Sequence, residues 1–287
     1  GERPSLLAQV GPALRSDSAE FEEMCELDVL QKSAAESVDT TSPRHLETLK
    51  CLWENAFPYA GPTRRLSDVW TQLGFQGRDP VAELRVSGGY MALCHLLNVV
   101  KAEEKQKLVR PALPMLATAS MDVTAMLQAY LGLSETAALP AGCAHQPCPP
   151  EVQSAFLTVH ARDERALGSI HLALVRHLAR VWLDMQARAA AASGTPLHVM
   201  QFPAALRVTH RHMQDVLSSA PRPWNMRQVL NELAWGSTVL EPAAGHDQGV
   251  GALFWRLFEL VQLRLCCFEG CHVATVGRCQ DQDEEQW

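Results

Sequence analysis

The sequence predicts an all-α protein, a single multi-helix domain with helical extensions at both ends. Apolar residues recur every three or four positions along most of the chain, which is the period of an amphipathic helix. Segments that alternate apolar and polar residues and are rich in β-branched types are nearly absent, so no β-sheet is expected. Proline, glycine and small polar residues stand at the ends of the periodic segments, where such residues begin and end helices.

The amino-acid composition excludes several classes of protein and partner. The 287 residues are 47% apolar, enough to bury the core of one large domain. With 25 Lys and Arg against 32 Asp and Glu, the net charge of -7 gives no broad cationic field, so nucleic acid is not expected as the main partner. Nine scattered cysteines indicate reduced thiols rather than a disulfide framework.

The sequence also predicts a cytoplasmic location, with association with the cytoskeleton as one option. No run of about eighteen or more uncharged apolar residues is present, so no transmembrane segment is expected. The first residues lack the basic start and apolar run of a secretory signal.

The first half of the chain is predicted as short helices. Residues 1–41 read as an extension with a peripheral helix, whose apolar face would hold Phe21, Met24, Cys25 and Leu27. Ser42 and Pro43 begin a helix that ends before Pro58. Its apolar face is expected to hold Leu46, Leu49, Leu52, Trp53 and Phe57.

Two helix starts frame the next region. Ser67 caps a short helix that carries Val69, Trp70 and Leu73 and ends at Gly74, and Asp79 with Pro80 opens a helix that runs towards Val100. Further helices are predicted at 105–118 and 121–131, followed by a loop from Leu139 to Pro150.

The second half is predicted around one long helix, which contains Leu167 to Met185 and ends near Gly194. Helices at 202–218 and 224–234 follow, and Val250 to Phe268 is strongly apolar. We therefore expect a helical domain over 42–268 and a tail over 269–287.

One segment carries a recognisable motif. It consists of Trp70, Leu73, Gly74, Phe75, Gln76, Gly77, Asp79 and Pro80, followed by Leu84, Arg85 and the pair Gly88 and Gly89. A compact helix-turn-helix corner would account for all of these residues except Arg85. The segment resembles the signature of the ELMO domain family, and weaker likeness extends over roughly residues 43 to 235.

The resemblance implies that the protein engages a small GTPase of the Arf or Arf-like family. In the family, the arginine that corresponds to Arg85 is implicated in stimulating GTP hydrolysis, with its cation near the γ-phosphoryl group. Arg85 is therefore the candidate catalytic residue, and the GTPase would supply nucleotide and Mg²⁺. The candidate motif and partner-binding residues are Trp70, Gly74, Phe75, Gln76, Gly77, Asp79 and Pro80.

The sequence departs from the family pattern around Arg85. The usual Thr-Asp-Phe-Arg-Gly is replaced by residues 82–86, Ala-Glu-Leu-Arg-Val. One residue more than usual follows Arg85, which would rotate the helix by about 100° and predicts a local bulge. The alternative is a non-catalytic scaffold or structural component of a larger assembly, cytoskeletal or ciliary. An exposed Arg85 in a concavity would favour the first hypothesis and an Arg85 buried in an internal salt bridge the second.

Other residue clusters give weaker signals. Cys143, His145 and Cys148, and the group Cys266, Cys267, Cys271, His272 and Cys279, lack the paired spacing of a zinc site, so no metal is expected. The run from His210 to His212, with Arg207 one turn earlier, predicts a basic helical face. No nucleotide-binding loop, nucleophile elbow or zincin motif occurs, so we expect no cofactor and no self-contained active site.

Overall fold

A computed structural model describes residues 7–106, 109–113 and 115–236. These residues form α-helices, two short 3-10 helices, turns and loops, which confirms the all-α fold. The helices are α1 (Leu7–Ala35), α2 (Pro43–Ala56), α3 (Pro80–Val86), α4 (Gly89–Gln106), α5 (Val109–Ala112), α6 (Leu116–Tyr130), α7 (Pro150–His160), α8 (Ala166–Ser193), α9 (Phe202–Ser219) and α10 (Met226–Trp235). The 3-10 helices are Asp68–Leu73 and Val199–Gln201.

The predicted helix ends are largely confirmed. Ser42 is extended and Pro43 is the first residue of α2, which stops at Ala56. The long helix α8 ends at Gly194, whose φ of 71° lies in the left-handed region. The loop predicted from Leu139 is also present, and it ends where α7 begins at Pro150.

The core is built around α8. This helix packs against α4, α6, α7, α9 and α10, and α4 packs in turn against α2 and α6. Nearly every side chain of α6 is buried, because neighbouring helices cover this helix on several sides. Helices α4, α6 and α8 therefore pack against one another, and α1, α2 and α3 pack against α4.

The buried face of α1 differs from the prediction. Phe21 and Met24 are 61% and 62% exposed, and Cys25 is exposed, while Leu30 and Ala34 on the opposite face join the core. Polar residues also lie on the packed face, since Glu23 and Glu26 bond to Ser154 and His160 of α7. Because the packed face contains both polar and apolar residues, apolar periodicity alone does not identify it.

Other predicted elements changed in extent. The helix expected from Asp79 to Val100 is broken at Ser87 and Gly88 into α3 and α4. The helix expected at 105–118 is replaced by the end of α4, the short α5 and the start of α6, and α7 was not predicted.

The predicted domain limits stay a prediction, and residue 268 and the apolar segment Val250 to Phe268 lie outside the described residues. Within the described ranges, no helix combines the length and the apolar character needed to cross a membrane.

Candidate functional site

An aromatic cluster supports the motif segment. The ring of Trp70 is fully buried and makes edge contacts with Trp53, Phe57 and Phe75 at centroid distances of 5.0, 5.8 and 5.7 Å. Its indole N–H donates to the carbonyls of Arg64 and Arg65 at 3.0 Å. The cluster fixes the loop before the 3-10 helix to α2, because a buried indole needs a partner for its N–H.

Gly74 forms the tight reversal that follows. Its φ of 96° is left-handed, and its carbonyl accepts a hydrogen bond from the hydroxyl of Thr118 at 2.9 Å. A Cβ at this position would lie 2.5 Å from backbone atoms of Met115. The start of α6 therefore touches the Gly74 backbone, and only glycine fits both the conformation and the space.

We expect Gly74→Ala to lower the free energy of unfolding by more than about 2 kcal/mol, since left-handed strain adds to a backbone collision. Gly61→Ala is a matched control, because Gly61 also has a positive φ of 75° but nothing lies within 4 Å of its added Cβ. Urea unfolding of both variants measures the difference. Equal losses would show that the Met115 contact is unimportant.

The segment after Gly74 prepares the start of α3. The carboxylate of Asp79 accepts from the backbone N–H of Val81 at 3.0 Å, and Pro80 is the first helical residue. Glu83 reaches back to accept from the N–H of Gly77 at 2.7 Å. Gln76 is exposed. These contacts fix the direction in which α3 leaves the turn, and with it the position of Arg85.

Arg85 lies in the last turn of α3, and its side chain is exposed. Its Nε–H donates to the carbonyl of Val38 at 2.9 Å, across 47 residues of sequence. Among the described residues, no carboxylate lies within ion-pair distance of Arg85. The bond through Nε holds the guanidinium at one edge and leaves its two terminal amino groups for other contacts.

The chain around Arg85 differs from the predicted bulge. After Val86, which is 77% exposed, the backbone takes positive φ values at Gly88 and Gly89, so that α4 starts in a new direction. A Cβ on Gly89 would collide with the carbonyl oxygen of Glu36. The glycine pair thus breaks the helix and admits residue 36 close to α4.

The described residues form two best-defined surface depressions, one lined by Lys32, Glu36 and Arg44 and the other mainly by residues of α10, and Arg85 lines neither. The structure therefore meets one half of the first hypothesis, an exposed Arg85, and places this residue outside both depressions. An open surface of this kind suits a protein partner better than a small molecule.

The ELMO/CED-12 family matches residues 28–195, more than half of the chain. The chain belongs to the ELMO/CED-12 family. The ELMO domain-containing protein 1 of Bos taurus and that of Mus musculus are each 37% identical to it over 59 residues. The match to the Homo sapiens protein is 36% over 59 residues.

These similarities are local. The matched segment covers 21% of this chain and 18% of each relative, so the chain aligns with only a small part of the curated relatives. No solved structure matches the chain significantly. Membership in the ELMO/CED-12 family therefore rests on the family match and on the motif residues.

In the first cysteine cluster, Cys143 and Cys148 are partly buried against the core. Cys148 packs partly against the core, and burial raises the pKa of its thiol to about 11. Within the described residues, no three His, Cys, Asp or Glu side chains meet in a metal-binding group. The second cysteine group, from Cys266 to Cys279, lies outside these residues.

The predicted basic face of α9 is reduced to its two arginines. Arg207 and Arg211, one turn apart, are exposed, whereas His210 is buried and the ring of His212 bonds to the carbonyls of Glu232 and Leu233. Among the tryptophans, Trp224 is buried and Trp235 is 54% exposed beneath the guanidinium of Arg180, whereas Trp255 lies outside the described residues. Trp235 therefore leaves part of its ring exposed at the end of α10.

The residues that position the hydrogen-bond acceptor of Arg85 were not predicted from the sequence. Val38 supplies the carbonyl that Arg85 binds, and Glu36, Asp39, His45 and Tyr90 hold that carbonyl in place. A backbone carbonyl leaves no trace in residue identity, and the pairs are distant in sequence. The one available signal was His45, a histidine on the apolar side of α2.

Proposed function

We propose that this ELMO/CED-12 family protein engages a GTPase of the Arf or Arf-like family and accelerates its GTP hydrolysis in trans. Arg85 would supply the stimulating cation. The observation that supports this most directly is the state of Arg85. Its side chain is exposed, lies within ion-pair distance of no described carboxylate, and donates one described hydrogen bond, through Nε, while the carboxylate of Asp39 attracts it at longer range.

The chemistry explains why one arginine is enough. During phosphoryl transfer, negative charge spreads over the oxygens of the γ-phosphoryl group, and a planar cation with two free amino groups can bind them. A cation that is already oriented needs no reorganisation at the moment of reaction. The nucleotide and its Mg²⁺ come with the partner, so the surface that presents Arg85 can be open.

The motif residues would act as the support of this surface. Trp70, Gly74 and Phe75 are buried and set the course of the turn, while Asp79 and Pro80 begin α3. Of the motif residues, Gln76 is the exposed one and is therefore the candidate for direct partner contact. Val86 projects its side chain into solvent beside Arg85, so a partner must accommodate an isopropyl group there.

A specific observation favours a second candidate function, binding without catalysis. Val86 and Tyr59 expose 77% and 99% of their surface, and exposed apolar and aromatic side chains are typical of contact surfaces. A scaffold would use such residues without requiring Arg85 to reach a phosphate. The two functions differ in whether hydrolysis accelerates on binding.

The deciding experiment is single-turnover GTP hydrolysis by a panel of Arf and Arf-like GTPases with and without the protein. Acceleration of one or more of them supports the activating role. Binding of a GTP-loaded member without acceleration supports the scaffold, and neither binding nor acceleration across the panel contradicts the proposed function.

A further inference from the structure

The carbonyl that Arg85 binds belongs to a short connection between α1 and α2. We call residues 36–39 the brace segment. Within it, the side chain of Val38 is 1% exposed and sits in the core, while its carbonyl accepts the Nε–H of Arg85 at 2.9 Å. The position of the guanidinium therefore depends on how firmly the brace segment is held.

His45 holds the brace segment at both ends. The N–H of Asp39 donates to Nδ1 of His45 at 2.9 Å, and Nε2 of the same ring lies 2.9 Å from the carboxylate of Glu36. Since Nδ1 accepts a hydrogen bond, it carries no proton, and Nε2–H must be the donor to Glu36. One neutral imidazole thus spans the segment, using each nitrogen once.

The ring of His45 is itself fixed. It is 3% exposed and stacks on Tyr90 at a centroid distance of 4.0 Å, and the Tyr90 hydroxyl bonds to Thr48 at 2.9 Å. The backbone N–H of Tyr90 donates to the carbonyl of Glu36 at 2.8 Å. The start of α4, the start of α2 and the brace segment therefore form one connected unit, with the Val38 carbonyl on the side of Arg85.

We propose that His45 is a positioning residue for Arg85, acting through the brace segment; as a role in catalysis this rests on the proposed function. Arginine has several rotatable bonds and would sample many rotamers at an exposed helix end. The Val38 carbonyl selects among them, and the bonds of His45 to Asp39 and Glu36 add to the core packing of Val38 in holding that carbonyl. Loss of the ring leaves the Asp39 N–H and the Glu36 carboxylate without that partner and frees the carbonyl to move.

The first test follows Arg85 itself and needs no GTPase. In a ¹⁵N-labelled protein, the Nε–H resonance of Arg85, assigned by its loss in Arg85→Ala, should exchange slowly with water. His45→Ala should accelerate that exchange by about tenfold or more, because the hydrogen bond to Val38 no longer persists. His45→Asn should restore part of the protection, since its Oδ1 can accept from the Asp39 N–H where Nδ1 did.

A matched histidine supplies the control. His160 is 8% exposed and also bonds to a glutamate of α1, Glu26, at 2.6 Å, but it does not touch the brace segment. His160→Ala should therefore loosen α1 without changing Arg85 exchange. If both histidine variants accelerate the exchange equally, or if neither does, the positioning role is overturned. Should His45→Ala fail to fold, His45→Asn should still exchange faster than the wild type because it keeps only part of the protection, whereas His160→Asn should not; equal exchange in these two variants overturns the proposal.

The second test uses a GTPase that the wild-type protein accelerates. His45→Ala should lower the maximal hydrolysis rate by about tenfold or more, since a shift of about 1 Å in a reacting group is worth that much, while the concentration for half-maximal effect changes little. An unchanged maximal rate despite faster Arg85 exchange overturns the proposal. If no GTPase is accelerated by the wild-type protein, the proposed function fails, and the exchange experiment still decides whether His45 positions Arg85.

Discussion

Arg85→Ala is expected to reduce the acceleration of GTP hydrolysis by about 10³-fold or more while leaving the fold intact. An activating arginine is worth about three to five orders of magnitude in rate, because it neutralises charge that exists only in the transition state. The side chain is exposed and makes one described hydrogen bond, to Val38, so its loss should cost about 1 kcal/mol of stability. Single-turnover hydrolysis and urea unfolding measure the two quantities separately.

Two further variants make this experiment specific. Arg78→Ala removes an exposed arginine from the same segment, one that pairs with Asp68 at 3.0 Å, and should leave the acceleration within about twofold because surface pairs contribute little. Arg85→Lys keeps the charge but loses the planar fork, and should retain only a small part of the effect. If Arg78→Ala and Arg85→Ala weaken hydrolysis equally, the arginines serve general electrostatic attraction, and the activating role of Arg85 is contradicted.

The sequence was most informative where residue type alone determines backbone conformation. Ser67 and Gly74 predicted both ends of one short element, and Asp79 and Pro80 predicted the start of the next helix. The structure places these ends as predicted, because a cap or a left-handed glycine acts through its immediate neighbours. The break at Gly88 was not predicted. Apolar periodicity continues across it, since α3 and α4 both pack on the same core.

The candidate site was predictable only in part, because residue type indicates local conformation but not tertiary contacts. Arg85 is identifiable from the motif, but its partner is the Val38 carbonyl, and the segment that contains it is held by His45 and Tyr90. These contacts join three helix ends that are separated in sequence, and tertiary packing decides them. A histidine in an apolar helical pattern is compatible with a core position, a ligand or a brace, and only the geometry distinguishes these roles.

A second large effect is expected in the pH dependence of the free energy of unfolding. His95 stacks on His171 at 4.4 Å, and His177 stacks on His212 at 3.9 Å, all within the helical core. Burial lowers the pKa of His171 to about 4 and that of His177 to about 3, and burial together with His171 holds the pKa of His95 well below 6.5. The core therefore contains neutral imidazoles that resist protonation.

The sign of the effect follows from proton linkage. An unfolded histidine with a pKa of about 6.5 binds protons that the folded chain excludes, so stability is complete above pH 6.5 and falls as the pH drops towards 4. At pH 5 His171 and His177 each cost about 2 kcal/mol, and His95 acts in the same direction. Asp122 acts in the opposite direction, since burial raises its pKa to about 6. Its protonation returns roughly 1 to 2 kcal/mol.

The net loss at pH 5, about 3 kcal/mol from these groups before the contribution of His95, is a large fraction of the stability of an ordinary domain. Urea unfolding at pH 7.5, 6 and 5 should show it as a steep fall of the midpoint. His177→Phe tests the cause, because neither ring nitrogen of His177 has a hydrogen-bond partner among the described residues. The apolar ring should keep stability at pH 7.5 and reduce the acid loss by about 2 kcal/mol. A midpoint that stays constant from pH 7.5 to 5 in the wild-type protein would show that protonated imidazoles are tolerated in this core.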